Sequence, residues 1–346
     1  MNSPTARATQ LLRRHLGWAV SAAYLAALLV PGPGVWLRHP HRLPPLSVHT
    51  TAWLLALVLF SAGLQVPVRS LGRLVRHPGI LLAGIALHLT VPLLIIPPVV
   101  FLLRHSPDTD GGSGLVTAMI LIVAMPVAAG ATVWTGKGQG DQPTMVGLVL
   151  ASTLLSPLTI PLTVTVLAPL LGGGCADTLA AAGRSLHSGF ALFAVVLPCA
   201  AGLVCRLLLP RRWAECLPAG VAPAALVGSL LLTYVNASGA LGSFMAHPRP
   251  LLFAAAVTVA ALVCAFSFAL GRLTARALRL EAPVASSLTL ACGMNNSSAS
   301  AVLLTTALPD KPHLLLPVLA YGLLQKTAAN RVVRLRVQPA PCTGAP

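Results

Sequence analysis

Charge in this chain is almost confined to short intervals between ten long apolar runs, and that patterning restricts its fold more than any single motif. Runs long enough to cross about 30 Å of hydrocarbon cover Leu16 to Val30, His49 to Val66, Pro78 to Leu103, Gly114 to Thr135 and Pro143 to Leu171. Five more cover Leu186 to Leu209, Val221 to Leu241, Pro250 to Leu270, Pro283 to Leu308, and Pro312 to about Ala329. Lipid offers no partner to a backbone N–H or C=O, so runs of this kind fold as helices that satisfy themselves. Only 9% of the residues are charged, against roughly 25% in a soluble domain, too few to clothe a globule. The sequence predicts an all-α polytopic membrane protein. The first run is short and follows Arg7, Arg13 and Arg14, as the apolar part of a signal peptide would. It ends in Pro31-Gly32-Pro33-Gly34 without a small-x-small cleavage site and is read as a helix, with cleavage left open.

The formal net charge of +16 arises from 23 Lys and Arg against 7 Asp and Glu. Proteins that read nucleic acid gather such charge on one polar face, whereas here it lies in the intervals between runs. A lipid surface is therefore the expected partner, and nucleic acid is not. Counted on alternate sides of ten spans, seventeen Lys and Arg fall on one side and six on the other. The positive-inside bias then puts both termini in the cytoplasm. The 7 cysteines stand singly, without a CxxC pair, and read as packing residues. His39 and His41 form a loop pair without further metal ligands.

Dividing the chain at Gly172-Gly173-Gly174 leaves five runs on each side. This predicts a first repeat over 1–171, a connecting loop over 172–185, a second repeat over 186–330 and a basic cytoplasmic tail over 331–346. An odd number of spans per half inverts the second relative to the first, a common plan in secondary transporters. The fourth run carries Pro126 and Gly130, and the ninth carries Gly293, all predicted helix breaks at equivalent places in the two halves. Immediately after Gly293, Asn295, Asn296, Ser297 and Ser298 form the densest polar cluster inside any run. Amides and hydroxyls of this kind act either as interhelical glue or as a binding site on discontinuous helices, and both readings stand. No Asp or Glu lies within a run, which restricts proton relays, and His88 is the one group plausibly ionisable at depth. Gly138-Gln139-Gly140-Asp141 spells the GxGD of intramembrane aspartyl proteases, but that chemistry needs a second aspartate, so no enzyme and no catalytic residue is expected.

Taken in order, these segments resemble the bile acid:sodium symporter family. Pro126 through Gly140-Asp141 is similar to the family's fourth helix, and Ser152-Thr153-Leu154-Leu155-Ser156-Pro157-Leu158-Thr159-Ile160-Pro161 looks like its fifth-helix signature. Leu57 to Leu64 resembles the end of helix two, Gly293-Met294-Asn295-Asn296-Ser297 the helix-nine stretch, and Leu316-Pro317 to Gln325 helix ten. The resemblance covers most of the chain and implies a divergent, bacterial-type member: ten transmembrane helices in two inverted five-helix repeats, with discontinuous helices four and nine crossing. It also implies sodium sites, and this sequence departs from the family there. Ala291 stands where sodium-coupled relatives carry a glutamate, and Ala131 and Thr132 stand for a Ser-Asn pair. Two hydroxyl ligands of helix five fall on Met145 and Val149, and His88 lies near a family Gln. A sodium ion held by Cys292, Met294 and Asn295 is the cation site that survives the comparison.

The expected function is secondary active transport of a small organic anion or amphipathic solute by alternating access, of sodium-symporter ancestry. A panel of helices four, five, nine and ten would move against the rest. The alternative is a sodium-independent facilitator or a solute-binding or sensing membrane protein. His88, Thr132, Asn295, Asn296, Ser297 and Ser298 are the expected substrate or ion ligands, helped by positive helix ends at Pro126 and Gly293. No cofactor other than sodium is expected.

Overall fold

The computed structural model describes residues 15–38, 41–43, 46–48, 50–66, 78–103, 113–170, 179, 183, 189–246, 248–308 and 311–337. The basic interval 67–77, the Gly172-Gly173-Gly174 junction and residues 338–346 lie outside them. Leu16–Leu29 (α1) and Pro31–Arg38 (α2) meet at a 91° bend, where Pro31 opens a new helix rather than extending the old one. A small antiparallel ribbon follows, β1 (His41–Leu43) and β2 (Leu46–Val48), with His41 opposite Val48. Next come Thr50–Leu64 (α3), Pro78–Leu103 (α4), Ser113–Ala124 (α5), Ala131–Lys137 (α6) and Gln142–Leu167 (α7). A π-helical segment, Ala191–Val196, leads into Leu197–Leu208 (α8). Arg211–Ala246 (α9), Pro250–Ala277 (α10), Ala282–Gly293 (α11), Ser297–Ala307 (α12) and Leu315–Val337 (α13) complete the chain, so the last helix continues past residue 330.

By length and composition, five of the described helices can cross a membrane, or six if the bent α1–α2 pair counts as one span. Thr50–Leu64, Gly114–Ala124, Ala282–Gly293 and Ser297–Ala307 are apolar but shorter. Large apolar side chains face outward along the long helices, Leu208 at 78% and Leu82 at 64% exposed, a surface that water would penalise and lipid accepts. Proline inside these helices is repaired locally. Pro157 has no N–H to give the Thr153 carbonyl, and Ser156 Oγ donates to that oxygen instead, at 2.7 Å.

Packing sorts the helices into two groups. In the first, α9 packs on α1, α2 and α3, and α8 lies along α3. Helices α3 and α8 approach backbone to backbone, because a Cβ on Gly63 would overlap the Cys199 carbonyl and one on Gly202 the Phe60 carbonyl. In the second group, α4 packs on α5 and α7, α10 on α11 and α13, and α7 on α11. The third and eighth apolar runs, α4 and α10, therefore pack with the fourth, fifth, ninth and tenth. The groups touch through the π-helical Ala191–Val196, which packs on α7 as well as on α3 and α8, through α9 and α13, through α3 and α12, and through a bond from Tyr24 OH to the Leu319 carbonyl at 3.1 Å.

Candidate functional site

Residues 125–130 separate α5 from α6, and residues 294–296 separate α11 from α12. Unwound backbone in a dry interior loses its helical partners, and each group left unmade costs about 1–3 kcal/mol. Here the two unwound stretches satisfy one another. Ala128 N–H donates to the Met294 carbonyl at 2.7 Å and Asn296 N–H to the Pro126 carbonyl at 2.9 Å, flanking an antiparallel bridge between Val127 and Asn295. The neighbouring helices complete the arrangement: Val127 N–H donates to Ser152 Oγ of α7 at 3.1 Å, and Ser300 Oγ of α12 donates to the Leu121 carbonyl of α5 at 3.2 Å. Two breaks far apart in sequence thus form one crossing.

Beside this crossing, between the two helix groups, lies a cavity of about 400 Å³. Its first wall comes from Val58 and Ala62 of α3, from Gln65 just after it and the next residue, and from Leu226 and Ser229 of α9; its second comes from Ala129, Gly130, Thr132 and Val133 and from Val146 and Val149 of α7. The lining is mostly apolar, and no described lining residue is charged. Polar lining side chains are tied to backbone. Gln142 Nε2 donates to the Thr132 carbonyl at 2.9 Å, Thr132 Oγ1 to the Ala129 carbonyl at 2.8 Å, and Ser229 Oγ to the Leu226 carbonyl at 2.9 Å. The N–H groups of Ala131, Thr132 and Val133 bond to the carbonyls of Ala128, Ala129 and Gly130. Those of Ala129 and Gly130, two of the lining residues, have no partner among the described residues.

Over residues 52–247, more than half of the chain, the sequence matches the model of the Sodium Bile acid symporter family. The chain belongs to this family. Two relatives come from Bacillus subtilis (strain 168). It is 23% identical to the Uncharacterized protein YbaS over 284 residues, covering 80% of this chain and 85% of that one. It is 25% identical to the Uncharacterized sodium-dependent transporter YocS over 251 residues, covering 72% of each. The family consists of transporters, not enzymes, and with its several long apolar helices this member is an integral membrane protein.

Within this family protein, the residues singled out from sequence occupy different places. Thr132 lines the large cavity; Asn295, Asn296, Ser297 and Ser298 are not among its described lining residues. Asn296 caps α12, its Oδ1 accepting from Ala299 N–H at 3.1 Å. Ser297 Oγ accepts from Gln325 Nε2 at 3.2 Å, and Ser298 is half-buried in the first turn of α12. Gly293 closes α11 and does not open α12, and α6 beyond Pro126 is a helix of seven residues. His88 is buried against a void of about 10 Å³, shared with Ser152, Ala291 and Cys292, large enough for about one water. Met294 O is engaged with Ala128, whereas Asn295 Oδ1 is buried and has no partner among the described residues. A buried acceptor left open costs about 1–3 kcal/mol, and it is a neutral oxygen of the kind a hard cation takes. Gln65, Gln142, Ser229 and Tyr321 were not anticipated. Gln142 directly follows the quoted Asp141 and Tyr321 lies inside the quoted stretch of helix ten, but neither stands out without the fold.

Proposed function

We propose that this protein is a secondary active transporter that moves a small organic anion or amphipathic solute by alternating access. The observation that carries the reading is the cavity of about 400 Å³ between two separately packed helix groups, beside the crossed, unwound segments. That volume falls within the usual range for small-molecule sites, roughly 300–1,000 Å³. The apolar lining accommodates the body of an amphipathic molecule, and the N–H groups of Ala129 and Gly130 are donors for an anionic head. The group containing α4–α7 and α10–α13 moves against the group containing α1–α3, α8 and α9, opening the cavity to either side in turn. We read the fold as ten transmembrane helices in two inverted repeats, the first over 1–171 and the second from 186 to the end of α13 at Val337, joined by 172–185 and followed by a basic tail. Both termini are cytoplasmic and the membrane is a bacterial plasma membrane, in contact with anionic lipid.

Sodium is the cargo ion that family membership and the name of the relative YocS suggest. On this chain its ligands are the carbonyls of Cys292 and Met294 with Asn295 Oδ1, the last supported by that atom's having no other partner among the described residues. His88 borders the same region, at the void beside Cys292. One feature favours a second reading, a sodium-independent facilitator or a solute-binding or sensing protein: Ala291 supplies no carboxylate, and neutral oxygens attract a cation less. Replacing Asn295 and Asn296 together by Ala, in protein that still reaches the membrane, is expected to abolish solute uptake. Unchanged uptake refutes the role given to Asn295 at the crossing.

A further inference from the structure

We infer that Tyr321 is a positioning residue for the cation site: it holds the Asn295 carboxamide so that its oxygen, and not its nitrogen, is presented. The inference rests on the sodium reading above. Tyr321 is fully buried and Asn295 nearly so. The phenol O–H donates to the Gly293 carbonyl at 3.1 Å. A phenol has a single hydrogen, so once it is committed to Gly293 the oxygen can only accept. A carboxamide can turn either end toward a neighbour, but only its NH₂ end can serve an acceptor. Asn295 accordingly donates from Nδ2 to the Tyr321 oxygen at 3.2 Å.

The oxygen end is thereby turned away, and Asn295 Oδ1 is buried without a hydrogen-bond partner among the described residues. Buried acceptors are nearly always satisfied; Asn236 Oδ1 and Gln325 Oε1 are likewise open among the described residues, but Asn295 is the one in the unwound stretch that bridges to Val127. Tyr321 is a residue of α13, whereas Asn295 and Gly293 flank the break between α11 and α12. One hydroxyl thus fixes the end of one helix and the orientation of a side chain two residues later.

The test uses purified full-length protein in detergent, with thermal stability titrated with sodium chloride against choline chloride at constant ionic strength. Wild type is expected to show a saturable, sodium-specific rise. Tyr321→Phe is expected to raise the half-saturating sodium concentration about tenfold, as loss of one orienting hydrogen bond does. Asn295→Ala should raise it at least as far, and adding Tyr321→Phe to Asn295→Ala should change it no further. A merely structural tyrosine would instead lower stability without sodium and leave half-saturation where it was. A wild-type sodium response in Tyr321→Phe, or effects of the two substitutions that add, overturns the inference and leaves the sodium site standing. No sodium-specific shift in wild type removes the sodium reading, and the inference with it. Where Tyr321→Phe does not fold, Asn295→Ala decides, because an unchanged sodium response there leaves Tyr321 nothing to aim.

Discussion

Gly130 offers a way to close the cavity without damaging the fold. It precedes α6 with φ −61° and ψ −18°, a conformation open to any residue, and a Cβ built there meets no atom within 4 Å. Replacing a capping Gly by an aliphatic residue costs about 1 kcal/mol. The new leucine in Gly130→Leu recovers part of the roughly 1.5–3 kcal/mol of a fully buried aliphatic side chain by packing along the apolar lining. The net change in stability is expected to stay within about 1 kcal/mol, a shift of a few degrees in Tm. Solute binding is another matter, since the leucine enters the space of about 400 Å³ that the solute needs. Overpacking a filled site costs about 1–3 kcal/mol, which weakens binding by roughly five- to 150-fold. The assay measures thermal stabilisation of wild type by a panel of carboxylates and sulfonates, then the Kd of the best stabiliser for both proteins. Gly130→Leu should fold, bind that anion at least about fivefold more weakly and keep any sodium-induced shift. A wild-type Kd in folded Gly130→Leu would refute the assignment of the solute to this cavity.

Other outcomes follow from single contacts. In Gly202→Val the new side chain overlaps the Phe60 carbonyl and pushes α8 off α3, so we expect a loss of about 3 kcal/mol, read as lower Tm and poor recovery of monodisperse protein. Asn296→Ala removes the cap on α12, where Oδ1 meets Ala299 N–H at 3.1 Å, and should cost about 1 kcal/mol. Asn296→Ser can restore that cap, so its Tm should lie close to wild type; equal losses in both variants would show that Asn296 has a role other than capping.

Much of the helical plan is legible in the sequence, because apolar runs in lipid leave few choices of structure. Each of the ten runs corresponds to one or more helices among the described residues, and the low charge content alone separates this chain from soluble enzymes. Finer features depend on contacts between distant segments. Pro126 and Gly293 mark irregular stretches, but nothing local says that Ala128 will meet Met294 or that Asn296 will reach the Pro126 carbonyl. The two asparagines look alike as a pair. The fold separates them: Asn296 at the head of α12 caps its own helix, a local task its position could have suggested, while Asn295 depends on Tyr321, 26 residues away. The cavity was equally hidden, since Gln65 just after α3, Gln142 of α7 and Ser229 of α9 are far apart in the chain and only packing brings them around one space. The positive helix end read at Pro126 also changes, because the first N–H groups of α6 bond within the turn.

The central claim is that solute crosses the membrane through this protein, not merely that solute binds to it. The most direct measurement is uptake of the best-stabilising organic anion into proteoliposomes, with wild type, Gly130→Leu and protein-free vesicles compared under an inward sodium gradient and under choline. Alternating access predicts saturable accumulation by wild type above protein-free vesicles, and its loss in Gly130→Leu; sodium coupling predicts that the gradient drives the anion above equilibrium. Binding without accumulation under either gradient would contradict transport and leave a solute-binding membrane protein.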